Sequence, residues 1–336
     1  MTWKKRRNAL TSLELCAGAG GQALGLEWAG FEHLALVEYE QKACETLRLN
    51  RPHWNTIEDD LRRFDATRYL GVDLVAGGVP CPPFSKAGKQ LGAEDERDLF
   101  PEALRVVRES KPRAVMLENV RGLLDPVFAD YRSEIQKELE RLGYRVFWKL
   151  HHASNYGVPQ LRPRTILVAI EEAKAGHFKW PKEAKDAPPT VGEALYEQMA
   201  SRGWKGAEEW RDQADRIAPT LVGGSKKHGG PDLGPTRAKK AWAELGVDGM
   251  GIANEAPDPG FVGMPRLTVG MTATIQGFPT DWKIAGLKTA AYRQVGNAFP
   301  APVAGAVATA IKSALRATAV PNIGTARSTM PNTVAA

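Results

Sequence analysis

Residues 72–85 read Val72-Asp73-Leu74-Val75-Ala76-Gly77-Gly78-Val79-Pro80-Cys81-Pro82-Pro83-Phe84-Ser85. The apolar run from Val72 to Ala76 reads as a strand, and it breaks into a loop rich in glycine and proline that carries one cysteine. Open α/β sheets bind ligands beyond the carboxyl ends of their strands. A thiol held there between prolines is aimed at a substrate. It can equally be a small buried hydrophobe, the common fate of a free cysteine, and this stretch alone leaves the two readings level.

Outward from that loop, strand-like and helix-like runs alternate. Ser12 to Cys16, His33 to Val37, Asp73 to Ala76, Ala114 to Leu117, Val146 to Leu150 and Thr165 to Ile170 read as strands. Gln22 to Ala29, Glu40 to Leu49, Phe100 to Glu109 and Ala129 to Leu142 have helical spacing. Such a βαβα pattern predicts an α/β fold, a mostly parallel sheet with helices on both faces. The pattern stops near Glu171. Pro181 to Gly263 is rich in Gly, Pro, Trp and charge, which predicts short strands and long loops in a unit built for contact rather than for a deep core. Regularity returns at Val303 to Leu315, a small-residue apolar helix, and the polar tail from Ala317 predicts disorder.

With 336 residues, 43% hydrophobic and 25% charged, the chain has ordinary globular composition and enough length for a second domain. No apolar stretch reads as membrane-spanning, and Met1 to Arg7 lacks the apolar run of a secretory signal. Cys16, Cys44 and Cys81 make no CxxC pair, and His151-His152 has no partner at metal-ligand spacing. A cytoplasmic monomer without a metal site is expected. Net charge is +6, and between Arg216 and Lys240 six basic residues face one acid. A polyanion such as nucleic acid would explain that excess, and so would a solvated basic loop.

A second loop joins strand to helix at Glu14-Leu15-Cys16-Ala17-Gly18-Ala19-Gly20-Gly21. Its glycines allow close backbone approach to a ligand, and the helix start offers free N–H groups. Glu38, at the end of the second strand, could bind ribose hydroxyls. The loop lacks the GxGxxG register of a dinucleotide fold, and no residue set for hydride chemistry accompanies it. A packing turn is the plainer alternative.

Taken together and in order, these segments resemble the DNA cytosine-5 methyltransferases of the compact prokaryotic, restriction-modification kind. The family's first motif resembles Glu14 to Gly21, its ribose acid Glu38-Tyr39, and its adenine-contacting Asp Asp60, followed by Leu61. Its catalytic Pro-Cys resembles Pro80-Cys81, and Leu99-Phe100 is similar to the pair that precedes a helix. Glu118-Asn119-Val120, Gln160-Leu161-Arg162-Pro163-Arg164, Pro265-Arg266-Leu267-Thr268, Gln276-Gly277-Phe278-Pro279 and Gln294-Val295-Gly296-Asn297-Ala298 follow in family order. Three positions depart from the pattern. Pro82 stands where the family has Gln, and Glu14 and Cys16 stand where it has Asp and Phe. Phe there would cover the adenine face, and Cys16 offers only a smaller polarizable contact.

The resemblance implies a Rossmann-like S-adenosylmethionine-dependent methyltransferase sheet with a smaller, loop-rich target recognition domain. The expected division is 1–186 catalytic and cofactor-binding, 187–285 target recognition, 286–318 returning to the catalytic domain, and a disordered tail over 319–336. Methyl transfer to carbon 5 of a cytosine flipped out of duplex DNA is implied, through a covalent bond from Cys81 to carbon 6. Glu118 would protonate ring nitrogen 3, and Arg162 and Arg164, alternating on an extended segment, would face the base and the catalytic loop together. Cys16, Ala17, Gly18, Gly20, Gly21, Glu38, Tyr39, Asp60, Leu61, Pro80, Leu99, Asn297 and Ala298 would hold S-adenosylmethionine and release S-adenosylhomocysteine.

Pro82 to Asp98 fits a loop that closes on the base, with Ser85, Lys86 and Lys89 for phosphates. Ser225, Lys226, Lys227, Arg237, Lys239 and Lys240 are the expected contacts in the second domain. The implied partner is double-stranded DNA, with a cognate restriction endonuclease acting separately. An RNA cytosine-5 methyltransferase and a catalytically inactive DNA-binding homologue are the competing readings. A nicotinamide dehydrogenase is a more distant one.

Overall fold

Every residue of β1 (Leu10–Leu15) is buried, as a strand with parallel neighbours on both edges and covered faces requires. The structure, a computed structural model, describes residues 9–80, 98–223 and 230–318. The remaining strands are β2 (Phe31–Glu38), β3 (Thr56–Glu58), β4 (Leu74–Gly77), β5 (Ala114–Val120), β6 (Tyr144–His152) and β7 (Pro163–Glu171). They form one seven-stranded sheet of order β3-β2-β1-β4-β5-β7-β6. β1 to β5 run parallel, and β7 runs antiparallel to both of its neighbours. The reversal has a simple cause. Residues 153–162 are all that joins β6 to β7, and a parallel crossover needs about a dozen residues or more.

The helices are α1 (Gly21–Trp28), α2 (Gln41–Asn50), α3 (Phe100–Ser110), α4 (Ala129–Arg141), α5 (Glu172–Ala175), α6 (Val191–Ala200), α7 (Ala207–Gln213), α8 (Thr236–Ala243), α9 (Val269–Ile275), α10 (Lys288–Asn297) and α11 (Ala301–Arg316). On one face of the sheet, Phe100, Ala103, Leu104 and Val107 of α3 and Ile135 and Leu139 of α4 pack on Leu13, Leu15, Val75, Val115 and Leu117. On the other, Val303, Ala304, Val307 and Ile311 of α11 pack with Leu26 on Leu74, Ala76 and Met116. The small-residue composition of α11 serves its contact with α1. A Cβ on Gly25 would stand 2.4 Å from the Ala301 carbonyl and 2.7 Å from the Gly305 nitrogen. The stretch Lys288–Arg316 contains an 18-residue window apolar enough to cross a membrane, with mean hydropathy 1.3, but 67% of that window is buried inside the protein. It is built as a core helix.

The segment 181–263 departs from expectation. In place of short strands it forms α6, α7 and α8, and among the described residues its β contacts are the isolated bridges Gln160↔Ala218 and Ala253↔Thr268. Helices this short complete too few turns to print a clear period in the sequence. Trp204, Trp210 and Trp242 are buried here, in a cluster that continues through Phe278 and Trp282 to Leu24, Leu36 and Leu47. The expected disordered tail, 319–336, lies outside the described residues.

Candidate active site

Strand order reverses between β1 and β4, so the carboxyl ends of β1, β4 and β5 open onto one crevice. Cys81 follows β4 by a few residues and lies outside the described residues. What leads up to it is fixed. A Cβ on Gly78 would stand 3.2 Å from Glu118 Oε2, so the glycine lets the chain pass against that carboxylate. Asn119 Nδ2 donates to the Val79 carbonyl at 2.9 Å, and the Leu99 N–H donates to the Pro80 carbonyl at 3.0 Å. The last bond brings the two ends of the segment 81–98 together.

Glu118 sits at the end of β5 and is buried. The antiparallel register pairs Val120 with Arg164, which sets Glu118 and Arg164 diagonally on one face of the sheet. Arg164 Nε reaches Glu118 Oε1 at 2.7 Å. Burial raises the Glu118 carboxyl above its ordinary value, and the charges of Arg164 and Arg162 act against that rise. Burial and the neighbouring cations therefore pull the proton affinity of this carboxyl in opposite directions, with burial the larger effect.

Arg162 is bonded to main-chain carbonyls. It is fully buried. Nη1 donates to the Leu221 carbonyl at 2.8 Å, and Nη2 to the carbonyls of Gly296 and Ala298 at 2.7 and 2.9 Å. The fork is thus occupied by backbone from the insert and from the α10–α11 junction. Gln160 assists, accepting from the Leu221 N–H at 2.8 Å and donating to Gln276 Oε1 at 2.9 Å. The two side chains fasten residues 218–221 to the entrance of β7.

At the end of β1 the backbone turns through positive φ at Cys16 (52°), Gly18 (55°) and Gly20 (86°). Neither Gly20 nor Gly21 has room for a Cβ, which would meet Leu47 at 2.7 Å and the Phe299 carbonyl at 2.3 Å respectively. Glu38 accepts from the N–H of Gly18 at 2.7 Å and of Glu40 at 2.8 Å, tying the loop to the end of β2. Burial raises its pKa, and the backbone N–H groups of Glu40, Gly18 and Tyr39 hold that rise down. Burial and the nearby carboxylates, Glu38 first, push the Cys16 thiol pKa up. Ala17 is held by its N–H to the Val37 carbonyl at 3.1 Å.

Tyr39 is exposed, and Leu99 and Ala298 are buried. Asp60 Oδ1 caps the Arg62 N–H at 2.9 Å while Oδ2 meets the Arg62 guanidinium at 3.1 Å, and Leu61 is core. Asn297 is exposed at the end of α10, against Gly223. Beneath the loop, Glu14 and Gln22 are buried with no hydrogen-bond partner for their side chains among the described residues. A cradle that no Cβ could fill, free helix N–H groups and unpaired polar atoms fit a polar, cationic cofactor.

Of the residues expected to meet DNA, Ser85, Lys86, Lys89, Ser225, Lys226 and Lys227 lie outside the described residues. Arg237 and Lys240 are exposed on α8. Lys239 is not a free cation, since its ammonium bonds Asp232 at 2.9 Å.

A family model described as C-5 cytosine-specific DNA methylase matches residues 10–313. The chain belongs to the C-5 cytosine-specific DNA methylases. It is an enzyme, a DNA (cytosine-5-)-methyltransferase. It is 56% identical over 309 residues to the type II methyltransferase M.NgoMIV of Neisseria gonorrhoeae, covering 91% of this chain and 98% of that one. It is 56% identical over 313 residues to M.NaeI of Lentzea aerocolonigenes, covering 91% and 76%. In fold it is similar to the S. pombe Dnmt2 methyltransferase, with TM-score 0.62 and 16% identity over 91% of this chain and 99% of that one. The Entamoeba histolytica methyltransferase EhMeth matches with TM-score 0.65 and 14% identity over 93% and 100%.

The methylase also positions its site with residues that sequence reading did not single out. Tyr131 on α4 donates its hydroxyl to Asp98 (2.8 and 2.7 Å to the two oxygens), and Asp98 accepts from the Phe100 N–H at 3.0 Å. Together they anchor the far end of the segment 81–98. Nothing in the sequence pairs Tyr131 with Asp98. Asn119 was visible as part of Glu118-Asn119-Val120, but its partner, a main-chain carbonyl, leaves no mark in a sequence.

Proposed function

We propose that the chain methylates carbon 5 of a cytosine that has been swung out of duplex DNA, through a transient bond from Cys81 to carbon 6. Carbon 5 of cytosine is aromatic and a poor nucleophile, and covalent addition divides the hard step into two easier ones. The Cys81 thiolate adds to carbon 6, and electron density moves toward nitrogen 3. Glu118 gives its proton to that nitrogen, so the adduct forms as a neutral enamine rather than as a ring anion. Arg164, bonded to Glu118 at 2.7 Å, orients the carboxyl and offsets the charge left on it. Carbon 5, now enamine-like, would take the methyl group that the cofactor supplies; the nitrogen-3 proton then returns to the Glu118 carboxylate, and loss of the carbon-5 proton to water restores the ring and expels the thiolate. A stacked duplex hides both carbons, so the base must be flipped. The observation that carries this reading is the buried Glu118, paired with Arg164 and packed against Gly78, a few residues ahead of Cys81.

S-adenosylmethionine, whose sulfonium makes its methyl group electrophilic, is the cofactor that the family and fold imply. The cradle from Cys16 to Gly21, with Glu38 bonded to Gly18, is the proposed holding site, and Asn297 is proposed to contribute to it. Residues 187–285 are proposed to read the DNA, with Arg237 and Lys240 as phosphate contacts beside the lysines at 226 and 227. The naming of the relatives as type II methyltransferases supports a role beside a separate restriction endonuclease, in the cytoplasm.

Incubation with S-adenosylmethionine carrying a tritiated methyl group tests the reading. Label recovered in DNA as 5-methylcytosine, and lost in Cys81→Ala, is the expected result. Label appearing only in RNA would favour an RNA methyltransferase. Label on the exocyclic nitrogen would remove the need for a covalent adduct.

A further inference from the structure

Trp282 lies far along the chain from the cofactor loop, yet its indole N–H donates to the Ala19 carbonyl in the middle of that loop, at 3.1 Å and across 263 residues. The ring is almost completely buried. It stacks on Phe278 with 5.8 Å between centroids, packs at 6.2 Å against Trp54, and carries the Arg51 guanidinium 5.2 Å from its ring centroid. A Cβ on Gly20 would stand 3.1 Å from the Trp282 ring, and one on Gly21 would stand 3.3 Å from Phe278. The two aromatic rings are therefore the floor on which the loop rests.

We propose that Trp282 is the positioning residue of the cofactor loop. Its N–H fixes the orientation of the Ala19–Gly20 peptide, and its ring with Phe278 sets the height of Gly20 and Gly21. That peptide is where the chain turns from the loop into α1. The Gly20 N–H bends back to the Ala17 carbonyl at 3.0 Å, and the Gly20 carbonyl accepts the first helical bond, from the Leu24 N–H at 2.8 Å. Fixing it sets the direction in which the free N–H groups of the first turn point. A loop held in its binding shape before the ligand arrives loses less freedom on binding. The inference rests on the proposal that this loop holds S-adenosylmethionine.

Trp282→Phe keeps a ring in the floor and removes the N–H. It is expected to weaken S-adenosylhomocysteine binding, read by calorimetry without DNA, by about fivefold or more, as loss of a bond to a buried carbonyl implies. The KM for S-adenosylmethionine should rise alongside, with kcat at saturating cofactor within about twofold of wild type. Trp210→Phe is the control. Trp210 is also buried, and its N–H donates to a carbonyl, that of Gly246 at 3.2 Å, away from the loop. It should cost stability and leave cofactor affinity unchanged. Phe278→Leu thins the floor without touching the hydrogen bond, and should weaken the cofactor in the same direction even if Trp282→Phe does not fold.

Wild-type affinity in Trp282→Phe, equal weakening in Trp210→Phe, or no effect of Phe278→Leu would overturn the assignment. Gly20→Ala separates the two levels. If it abolishes binding while Trp282→Phe keeps wild-type affinity, only the role of Trp282 falls. If it leaves binding intact, the cofactor site falls too, and the role of Trp282 with it.

Discussion

At the scale of single residues, burial raises the pKa of two carboxyls, Glu118 and Glu14. Glu118 has its pKa raised by burial, so the protonated form that donates to the base persists above the usual carboxylate range and is lost as pH rises through the raised value. The pH profile of kcat should therefore carry a falling limb on the alkaline side that belongs to Glu118. Glu118→Gln should remove that limb and lower kcat by roughly 10²–10⁴-fold, the usual contribution of a general acid. A Gln variant that keeps wild-type turnover would remove the acid from the mechanism.

Glu14 is buried with no hydrogen-bond partner among the described residues, and its pKa is raised well above the ordinary value by burial. The folded state thus holds a proton that the unfolded chain releases. That contribution to stability is complete below the unfolded carboxylate value and is lost as pH rises toward the folded one, with a slope of up to about 1.4 kcal/mol per pH unit. Glu14→Gln should flatten this slope, so that denaturation midpoints at pH 5 and pH 8 lie closer together than in the wild type. An unchanged difference would show that Glu14 is not the titrating group.

Arg162 and Arg164 mark the limit of legibility at this scale. Alternation implied one shared face, but β7 begins at Pro163, and Arg162 lies just outside the strand, in the chain that turns toward the insert. Its partners are three main-chain carbonyls distant in sequence.

At the scale of elements, six of the seven strands were legible because they carry apolar runs, and the three-residue β3, Thr56–Glu58, was not because it is short and mostly polar. The direction of β7 was not, since nothing in its own residues distinguishes a parallel from an antiparallel neighbour. Connection length does. The insert was misread because α6, α7 and α8 are short, and their buried tryptophans are spaced by tertiary packing rather than by one helical period.

Residues 218–223 then lie clamped between β7 and α10. A Cβ on Gly223 would stand 2.5 Å from Asn297 Oδ1 and 2.6 Å from the Arg293 carbonyl. Gly223→Ala should push this segment off α10, lowering the melting temperature and reducing methyl transfer by more than about tenfold. An active Ala variant with unchanged melting would mean that the close contact does not matter.

At the scale of the whole molecule, the excess of positive charge near the insert is smaller in the fold than along the sequence. Arg216 lies 3.6 Å from Glu244, and Lys239 lies 2.9 Å from Asp232. The lysines at 226 and 227 and the exposed Arg237 and Lys240 remain as the expected phosphate contacts. Replacing Lys226 and Lys227 together by Ala should weaken DNA binding and reduce the slope of log affinity against log salt by about two. An identical slope would take those lysines out of the interface.

The fold as a whole brings β4, β5 and β7 side by side, where the buried Glu118 carboxyl lies beside the chain leading to Cys81. Duplex DNA carrying 5-fluorocytosine at the methylated position tests that arrangement most directly, because fluorine cannot leave as the proton does and the adduct is trapped. With S-adenosylmethionine present, digestion and peptide mass mapping should find the DNA attached to the peptide that contains Cys81. Attachment to another residue, or full methyl transfer to unmodified DNA with no trapped adduct on the fluorinated strand, would contradict the covalent mechanism.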